Sequence, residues 1–211
     1  MIKLVIFDLD GTLIDAYQAI EKSLNFTLQS LGYKKVSYDQ ARRAVGRGDR
    51  HFVAQFVRAA DTTKGLALYR KHHQEALQRY ATLKPQARKV LTALRRRGIK
   101  LAVASNRPTK FSYVLIRHLD LEKYFDQIIC ADKKHELKPE PYLLKKVLKH
   151  LKIGSREALY VGDMVYDIEA GKNAKVHPIA ITGGSCSRKE LAQHKPYKVI
   201  SKLTDLIKIV K

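Results

Sequence analysis

The sequence contains no tryptophan, only two cysteines and half as many acidic as basic residues. Cys130 and Cys186 lie far apart, a spacing that predicts neither a disulfide framework nor a cysteine metal site. The apolar run at residues 2–7 is too short to span a membrane and lacks the layout of a signal peptide. We therefore expect a cytoplasmic protein without a membrane partner.

The shortage of acidic residues leaves a large positive charge. Lys and Arg number 41 against 20 Asp and Glu, which gives a net charge of +21. Such an excess attracts anions, either nucleic acid or small phosphorylated metabolites, unless it reflects a general basicity of the organism's proteins. Nucleic-acid binding requires basic residues on one face with aromatic side chains for base stacking, whereas here they are spread through nearly every predicted helix. Charge alone leaves the function open.

Five short runs rich in β-branched residues predict buried parallel strands. They lie at residues 2–7, 100–105, 127–130, 158–161 and 178–182. Segments with helical spacing separate the later runs, at 86–97, 109–119 and 141–151, and each is long enough for a crossover helix. The alternation predicts an α/β fold with a doubly wound, Rossmann-like and mostly parallel sheet.

No strand is predicted between residues 15 and 83. Four helical patterns fill this stretch, at 16–31, 38–45, 51–60 and 63–80. An insert of this size predicts an all-helical cap domain at residues 15–83, with a catalytic core formed by residues 1–14 and 84–211. Asp15 and Leu83 are its predicted hinges.

Polar residues follow four of the five predicted strands, at the edge where a doubly wound sheet binds its ligands. They are Asp8 and Asp10 after the first strand, Ser105 and Asn106 after the second, Lys138 a short loop after the third, and Asp163 and Asp167 after the fourth. Clustered carboxylates repel one another, and a hard divalent cation with oxygen ligands relieves this repulsion. A helix-capping role would explain one aspartate but not this convergence, so we expect a Mg²⁺ site.

Four segments carry a resemblance to the haloacid dehalogenase superfamily. Residues 7–13, FDLDGTL, resemble its first motif; 103–106, VASN, its second; 138–141, KPEP, its lysine motif; and 161–167, VGDMVYD, its acidic fourth motif. Their order and spacing cover essentially the whole chain. With its cap between motifs one and two, the layout is most similar to phosphoglycolate phosphatases and β-phosphoglucomutases.

The resemblance implies a phosphatase that hydrolyses a small phosphorylated metabolite, phosphoglycolate-like, through an aspartyl-phosphate. Asp8 would be the nucleophile. Asp10 would be the general acid and base, and would carry a proton at the outset. Lys138 would restrain Asp8, and together with Ser105 and the backbone near Asn106 it would stabilise the charge on the phosphoryl group.

The same resemblance implies the ligands of Mg²⁺: carboxylate oxygens of Asp8 and Asp163 and the backbone carbonyl of Asp10, with Asp167 in support. Arg47, on a Gly-Arg-Gly turn between cap helices, is a candidate substrate contact, the alternative being a surface arginine. A phosphosugar mutase uses the same two aspartates, so the sequence leaves the choice between phosphatase and mutase open, as it does the substrate and the oligomeric state, monomer or dimer.

An arginine and a pair of histidines are weaker candidates. Arg107 directly follows the second motif and has the same alternatives as Arg47. His72 and His73 are neighbours in a predicted helix, so their side chains point in different directions and cannot jointly bind a metal. We expect both histidines to pack at the surface or within the cap.

Overall fold

The computed structural model describes residues 1–210. Its strands are β1 (Leu4–Phe7), β2 (Ile14–Asp15), β3 (Thr82–Leu83), β4 (Lys100–Ser105), β5 (Gln127–Cys130), β6 (Ala158–Gly162), β7 (His177–Ile181) and β8 (Lys198–Ile200). Within the described range, six of them form a parallel sheet in the order β5-β4-β1-β6-β7-β8. Strands β4 and β5 lie on one side of β1, and β6, β7 and β8 lie on the other. The strand order therefore reverses direction at β1, and the topological switch point, where such sheets bind ligands, lies beside it.

The central strand shows why this sheet is buried on both faces. Leu4, Val5, Ile6 and Phe7 are all inaccessible to solvent. Because successive side chains of a strand point to opposite faces, Val5 and Phe7 join one hydrophobic cluster while Leu4 and Ile6 join another. A continuous apolar run is what a parallel sheet covered by helices on both faces requires.

Helices cover the two faces of the sheet. They are α5 (Ala87–Arg96), α6 (Thr109–His118), α7 (Tyr142–Leu151), α8 (Val165–Asn173), α9 (Arg188–Gln193) and α10 (Leu206–Ile209). Leu91 of α5, Leu115 of α6 and Leu206 of α10 pack against the face that holds Phe7. Leu144 of α7 packs against the opposite face. The predicted doubly wound α/β fold is confirmed.

Four helices lie between β2 and β3: α1 (Tyr17–Ser30), α2 (Tyr38–Ala44), α3 (Gly48–Ala54) and α4 (Thr62–Tyr80). They share a hydrophobic cluster of their own, which includes Leu24, Phe52 and Leu66. Strands β2 and β3 pair antiparallel with Ile14 opposite Leu83, next to the predicted hinges. The division into a core and a cap at residues 15–83 stays a prediction.

Several elements differ from the sequence prediction. The short strands β2 and β3 reach into residues 15–83, where no strand is predicted, because two residues show no strand pattern. The edge strand β8 was not predicted, because three residues are too few to show a strand pattern. Helix α3 occupies Gly48–Ala54 instead of residues 51–60. The helix ends at Ala54 because Phe56 and Val57 pack against the hydrophobic cluster of the four inserted helices. The Arg58 amide then donates to the hydroxyl of Tyr33 at 3.1 Å. No helix among residues 1–210 has the length and apolar character needed to cross a membrane.

Candidate active site at the carboxyl edge of the sheet

Asp8 is the first residue beyond β1 and lies at the centre of the site. Its backbone amide donates to the carbonyl of Val161 at 2.9 Å, which continues the sheet by one residue and fixes the start of the loop. Its side chain is only 7% exposed, and its Oδ1 accepts a hydrogen bond from the Lys138 ammonium at 2.8 Å. Burial raises the pKa of Asp8 to about 6, although the Lys138 charge acts in the opposite direction.

Lys138 joins two of the predicted carboxylates. Its Nζ lies 2.8 Å from Asp8 Oδ1 and 2.6 Å from Asp167 Oδ1, and it also donates to the hydroxyl of Tyr160 at 2.8 Å. Burial alone would lower the pKa of Lys138, but the charges of Asp167 and Asp8 outweigh it and raise this pKa above its ordinary value. The lysine therefore stays an ammonium. Sequence reasoning missed Tyr160, because an aromatic residue inside a buried strand is typical of core packing.

Asp163 follows β6 and is fully buried. Its Oδ1 accepts a hydrogen bond from Thr12 Oγ1 at 3.3 Å, and its Oδ2 accepts from the Tyr17 hydroxyl at 2.9 Å and the Ser185 amide at 2.7 Å. Burial, together with the charges of Asp167 and Asp8, raises the pKa of Asp163 to about 7. Tyr17 begins the first helix after β2, so this carboxylate also contacts the helical insert.

Asp8, Asp163 and Asp167 each offer a carboxylate oxygen, and these oxygens lie within 4.8 Å of one another. All three residues are buried. Lys138 supplies one positive charge beside these three carboxylates, and burial, with the neighbouring carboxylates as a smaller cause, raises the pKa of Asp8 and of Asp163. Oxygen ligands and excess negative charge suit a hard divalent cation such as Mg²⁺.

The carboxylate of Asp10 has a different partner. Arg107 donates to it through both arms of its guanidinium, from Nε to Oδ2 and from Nη2 to Oδ1, each at 2.8 Å. The Arg107 side chain is 5% exposed and that of Asp10 is 19% exposed. A bidentate ion pair of this kind fits an ionised carboxylate, whereas the resemblance implies a protonated Asp10 at the outset.

Arg107 is itself held by a histidine from α4. Its Nη1 lies 2.7 Å from His73 Nε2, and since a guanidinium can only donate, this nitrogen must accept. The His73 proton is then on Nδ1, which lies 3.0 Å from Ser23 Oγ. Burial and the Arg107 charge, with a smaller effect of His72, hold the pKa of His73 well below its usual range. His73 is therefore a neutral acceptor, a role that sequence reasoning missed because the pair His72-His73 fits simple packing.

Ser105 is the last residue of β4 and Asn106 follows it, and both are buried. The Asn106 side chain links three segments: its Nδ2 donates to the carbonyls of Gly46 at 2.6 Å and Lys138 at 3.2 Å, and its Oδ1 accepts from the Lys138 amide at 2.7 Å. Asn106 thus fixes the loop between α2 and α3 relative to the sheet edge.

One pocket connects these groups with the helices of the insert. Its lining includes Asp8, Asp10, Ile20, Val45, Gly46, Gly48, Asp49, Phe52, Tyr69, His73, Ser105, Asn106, Arg107, Pro108, Phe111, Lys138, Met164, Tyr166 and Asp167. The side chain of Arg47 is exposed, and its guanidinium lies over the ring of Tyr166, 5.4 Å from the centroid. A contact between Arg47 and the substrate stays a prediction.

Residues 5–181 match the model of the haloacid dehalogenase-like hydrolase family. The phosphoglycolate phosphatase of Aquifex aeolicus is 33% identical over 208 residues, covering 99% of this chain and 96% of that protein. The phosphoglycolate phosphatase of Vibrio parahaemolyticus is 29% identical over 219 residues, which cover 99% of this chain and 96% of that protein. The solved structure of a predicted phosphoglycolate phosphatase from Haemophilus somnus has the same fold, with a TM-score of 0.93 at 24% identity over 100% of this chain and 98% of that one.

The match spans most of the chain and includes all four predicted motifs. The relatives also agree with the enzyme class predicted from those motifs, a phosphoric monoester hydrolase. The chain therefore belongs to the haloacid dehalogenase-like hydrolase family.

Proposed function

We propose that this protein is a Mg²⁺-dependent phosphatase that hydrolyses a small phosphorylated metabolite, phosphoglycolate-like, through an aspartyl-phosphate on Asp8. One observation carries the proposal: a buried carboxylate in the pocket is held at 2.8 Å by a buried ammonium, beside two further carboxylates. A carboxylate fixed in this way is a nucleophile with a defined orientation, and carboxylates form covalent phosphoryl intermediates.

In the first half-reaction, a carboxylate oxygen of Asp8 attacks phosphorus and the bond from phosphorus to the leaving oxygen breaks. Lys138 holds Asp8 Oδ1 and so fixes the plane of the attacking group. Ser105 and Lys138 both line the pocket beside Asp8, where they stabilise the negative charge on the phosphoryl oxygens in the transition state.

Asp10 moves the protons. It donates one to the leaving oxygen in the first half-reaction and takes one from the water that attacks the aspartyl-phosphate in the second. For either step its carboxyl group must leave the guanidinium of Arg107, which binds both of its oxygens in this structure.

Asp8, Asp163 and the backbone carbonyl of Asp10 would hold Mg²⁺, with Asp167 in support. When bound, the ion supplies positive charge that offsets the charge of the substrate phosphate and helps to orient it. The shared hydrogen bonds of Asp163 with Thr12 and Tyr17 keep that ligand in a fixed rotamer before the ion arrives.

The pocket supports a small anionic substrate. Ile20, Phe52 and Phe111 give it an apolar wall, and Arg107 supplies a second cation beside Lys138's ammonium in the lining. The relatives from Aquifex aeolicus and Vibrio parahaemolyticus are phosphoglycolate phosphatases, whose named substrate carries one carboxylate and one phosphate.

A screen of phosphorylated metabolites with Mg²⁺ tests the proposal, with Asp8→Asn as the control. We expect phosphate release from at least one small phosphomonoester, loss of activity on removal of the metal, and no release by Asp8→Asn. No release from any compound would refute the phosphatase. Isomerisation of a sugar phosphate without net release of phosphate would identify a mutase instead.

A further inference from the structure

The guanidinium of Arg107 is a carboxylate-binding site that is filled by the chain's own Asp10. We propose that Arg107 recognises a carboxylate on the leaving group of the substrate, and that this carboxylate replaces Asp10 and so frees Asp10 to act on the leaving oxygen. The inference rests on the proposed function, because it assumes that Asp10 transfers protons in phosphate hydrolysis.

The geometry of the pair shows what ligand this site accepts. Nε and Nη2 of Arg107 present two parallel donors, and the oxygens of Asp10 accept them at 2.8 Å each. This planar two-point pairing is the arrangement in which arginine recognises carboxylates. The Asp10 side chain is more exposed than that of Arg107, 19% against 5%, so the carboxylate is the partner that an entering ligand can displace.

The charge balance favours an exchange over simple release. A cation as buried as Arg107 is costly without a partner, so Asp10 leaves it readily only when another anion takes its place. A substrate carboxylate does so, whereas a neutral leaving group leaves the Asp10 pair intact. Among the described residues that line the pocket, Arg107 is the one arginine, and Lys138 is already bound to Asp8 and Asp167.

His73 keeps the guanidinium in place during the exchange. It accepts from Nη1, the nitrogen that Asp10 does not use, and its own position is fixed by Ser23 and by the rings of Tyr69 and Phe111. Because His73 is on α4, the packing of this helix beside Arg107 sets the direction of the guanidinium. We therefore assign His73 as a positioning residue and Arg107 as the specificity-determining one.

The test compares three substrates: 2-phosphoglycolate, ethane-1,2-diol bisphosphate and the neutral-tailed 2-hydroxyethyl phosphate. For the wild-type enzyme we expect kcat/KM for 2-phosphoglycolate to exceed that for 2-hydroxyethyl phosphate by roughly 100-fold or more, because a site built for a polar group rejects the analogue that lacks it. Part of this preference should appear in kcat, since Asp10 stays paired when no substrate carboxylate is present.

Arg107→Met should change the two substrates in opposite directions. We expect kcat/KM for 2-phosphoglycolate to fall roughly 100- to 1,000-fold, the usual effect of removing one partner of a buried charge pair. The kcat for 2-hydroxyethyl phosphate should rise, because the guanidinium no longer holds Asp10. Arg96→Met, at an exposed position on α5, is the matched control and should leave both unchanged.

A second pair of variants tests His73 and does not depend on the folding of Arg107→Met. His73→Leu should raise KM for 2-phosphoglycolate about 10-fold through loss of one hydrogen bond to a charged group, with little effect on 2-hydroxyethyl phosphate. His73→Gln restores an acceptor and should recover most of the loss. Equal losses for both substrates, without rescue by glutamine, would show a merely structural role and overturn the assignment.

Three results would overturn the recognition of a carboxylate by Arg107. One is an equal decrease of both activities in Arg107→Met, and another is a wild-type enzyme without preference between 2-phosphoglycolate and 2-hydroxyethyl phosphate. The third is a preference for the bisphosphate that Arg107→Met abolishes, which would assign a second phosphate to the site. The screen for phosphate release distinguishes the two levels: no release from any phosphomonoester refutes the phosphatase, while release without the preference for 2-phosphoglycolate refutes only this inference.

Discussion

Replacement of Lys138 by methionine tests the electrostatic design of the site. The variant keeps an unbranched apolar side chain, one atom shorter, and removes the ammonium that lies 2.8 Å from Asp8 Oδ1 and 2.6 Å from Asp167 Oδ1. The side chains of Lys138, Asp8 and Asp167 are 5%, 7% and 2% exposed, so water cannot take over the role of the lost cation. Removal of one partner of a buried pair costs about 3–5 kcal/mol of folding free energy.

The cost should depend on pH, and this separates charge from packing. Asp8 already has a pKa of about 6 with the lysine present, and loss of the cation raises it further. At about pH 8 the folded variant must hold Asp8 ionised without its cation or bind a proton against the solution pH, so the full penalty of about 3–5 kcal/mol applies. At about pH 5, below the pKa of Asp8, its carboxylate takes up a proton instead, and most of the penalty disappears. Mg²⁺ should also restore part of the stability at the higher pH.

Urea unfolding of the metal-free protein at both pH values measures the effect. Lys145→Met is the matched control, because Lys145 is exposed on α7, the helix that begins directly after the lysine motif. We expect the control to change the free energy of unfolding by less than about 0.5 kcal/mol. An equal loss for Lys138→Met at pH 5 and pH 8 would mean that packing, not charge, explains the effect, and would refute the reasoning.

Three further predictions concern the metal ligands and the loops. The pKa of Asp163 is 3.8 in the unfolded chain and about 7 in the fold, so between these values the folded state binds a proton that the unfolded state has lost. The free energy of unfolding of the metal-free protein should therefore fall as pH rises from about 4 to 7, and a rise would contradict this. Gly11 has φ +79°, and a Cβ added there would clash with the Tyr17 hydroxyl and the Asp163 carboxylate, so Gly11→Ala should abolish Mg²⁺-dependent activity. Gly98→Ala, at φ +74° in open space, should cost only about 1–2 kcal/mol of stability, and similar activity in both variants would count against the metal site. Asn106→Leu removes the hydrogen bond to the Gly46 carbonyl and so releases the loop between α2 and α3. Steady-state kinetics should show kcat/KM lowered about 10-fold or more, and an unchanged kcat/KM would argue against a link between this loop and the sheet edge.

The acidic edge of this sheet can be predicted because its polar residues lie next to the carboxyl ends of recognisable strands. The apolar run of β1 is directly followed by Asp8, and parallel strands bring their carboxyl ends together. Asp163, Asp167 and Lys138 are therefore predicted along with Asp8, and the structure places all four in contact or within a few ångströms. The family resemblance adds roles, which stay predictions until they are measured.

Groups that reach the site from the helical insert are harder to predict. His73 and Tyr17 contact the core through the way α4 and α1 pack over the sheet edge, and no spacing in the sequence encodes that orientation. The same limit explains why the sequence does not rank the two candidate arginines correctly for the pocket lining. Its position on a loop favours Arg47, whereas the fold places Arg107 in the pocket lining and the Arg47 guanidinium over the ring of Tyr166.

The central claim, that Asp8 takes the phosphoryl group, is tested most directly by rapid mixing of Asp10→Asn with p-nitrophenyl phosphate and Mg²⁺. This leaving group needs no protonation, so Asp10→Asn should still form the aspartyl-phosphate but hydrolyse it slowly. The account predicts a burst of about one equivalent of p-nitrophenol per enzyme and a phosphate trapped on Asp8 by mass spectrometry, both absent after Asp8→Asn. Steady release of p-nitrophenol without a burst and without protein-bound phosphate, or a phosphate on another residue, would contradict it.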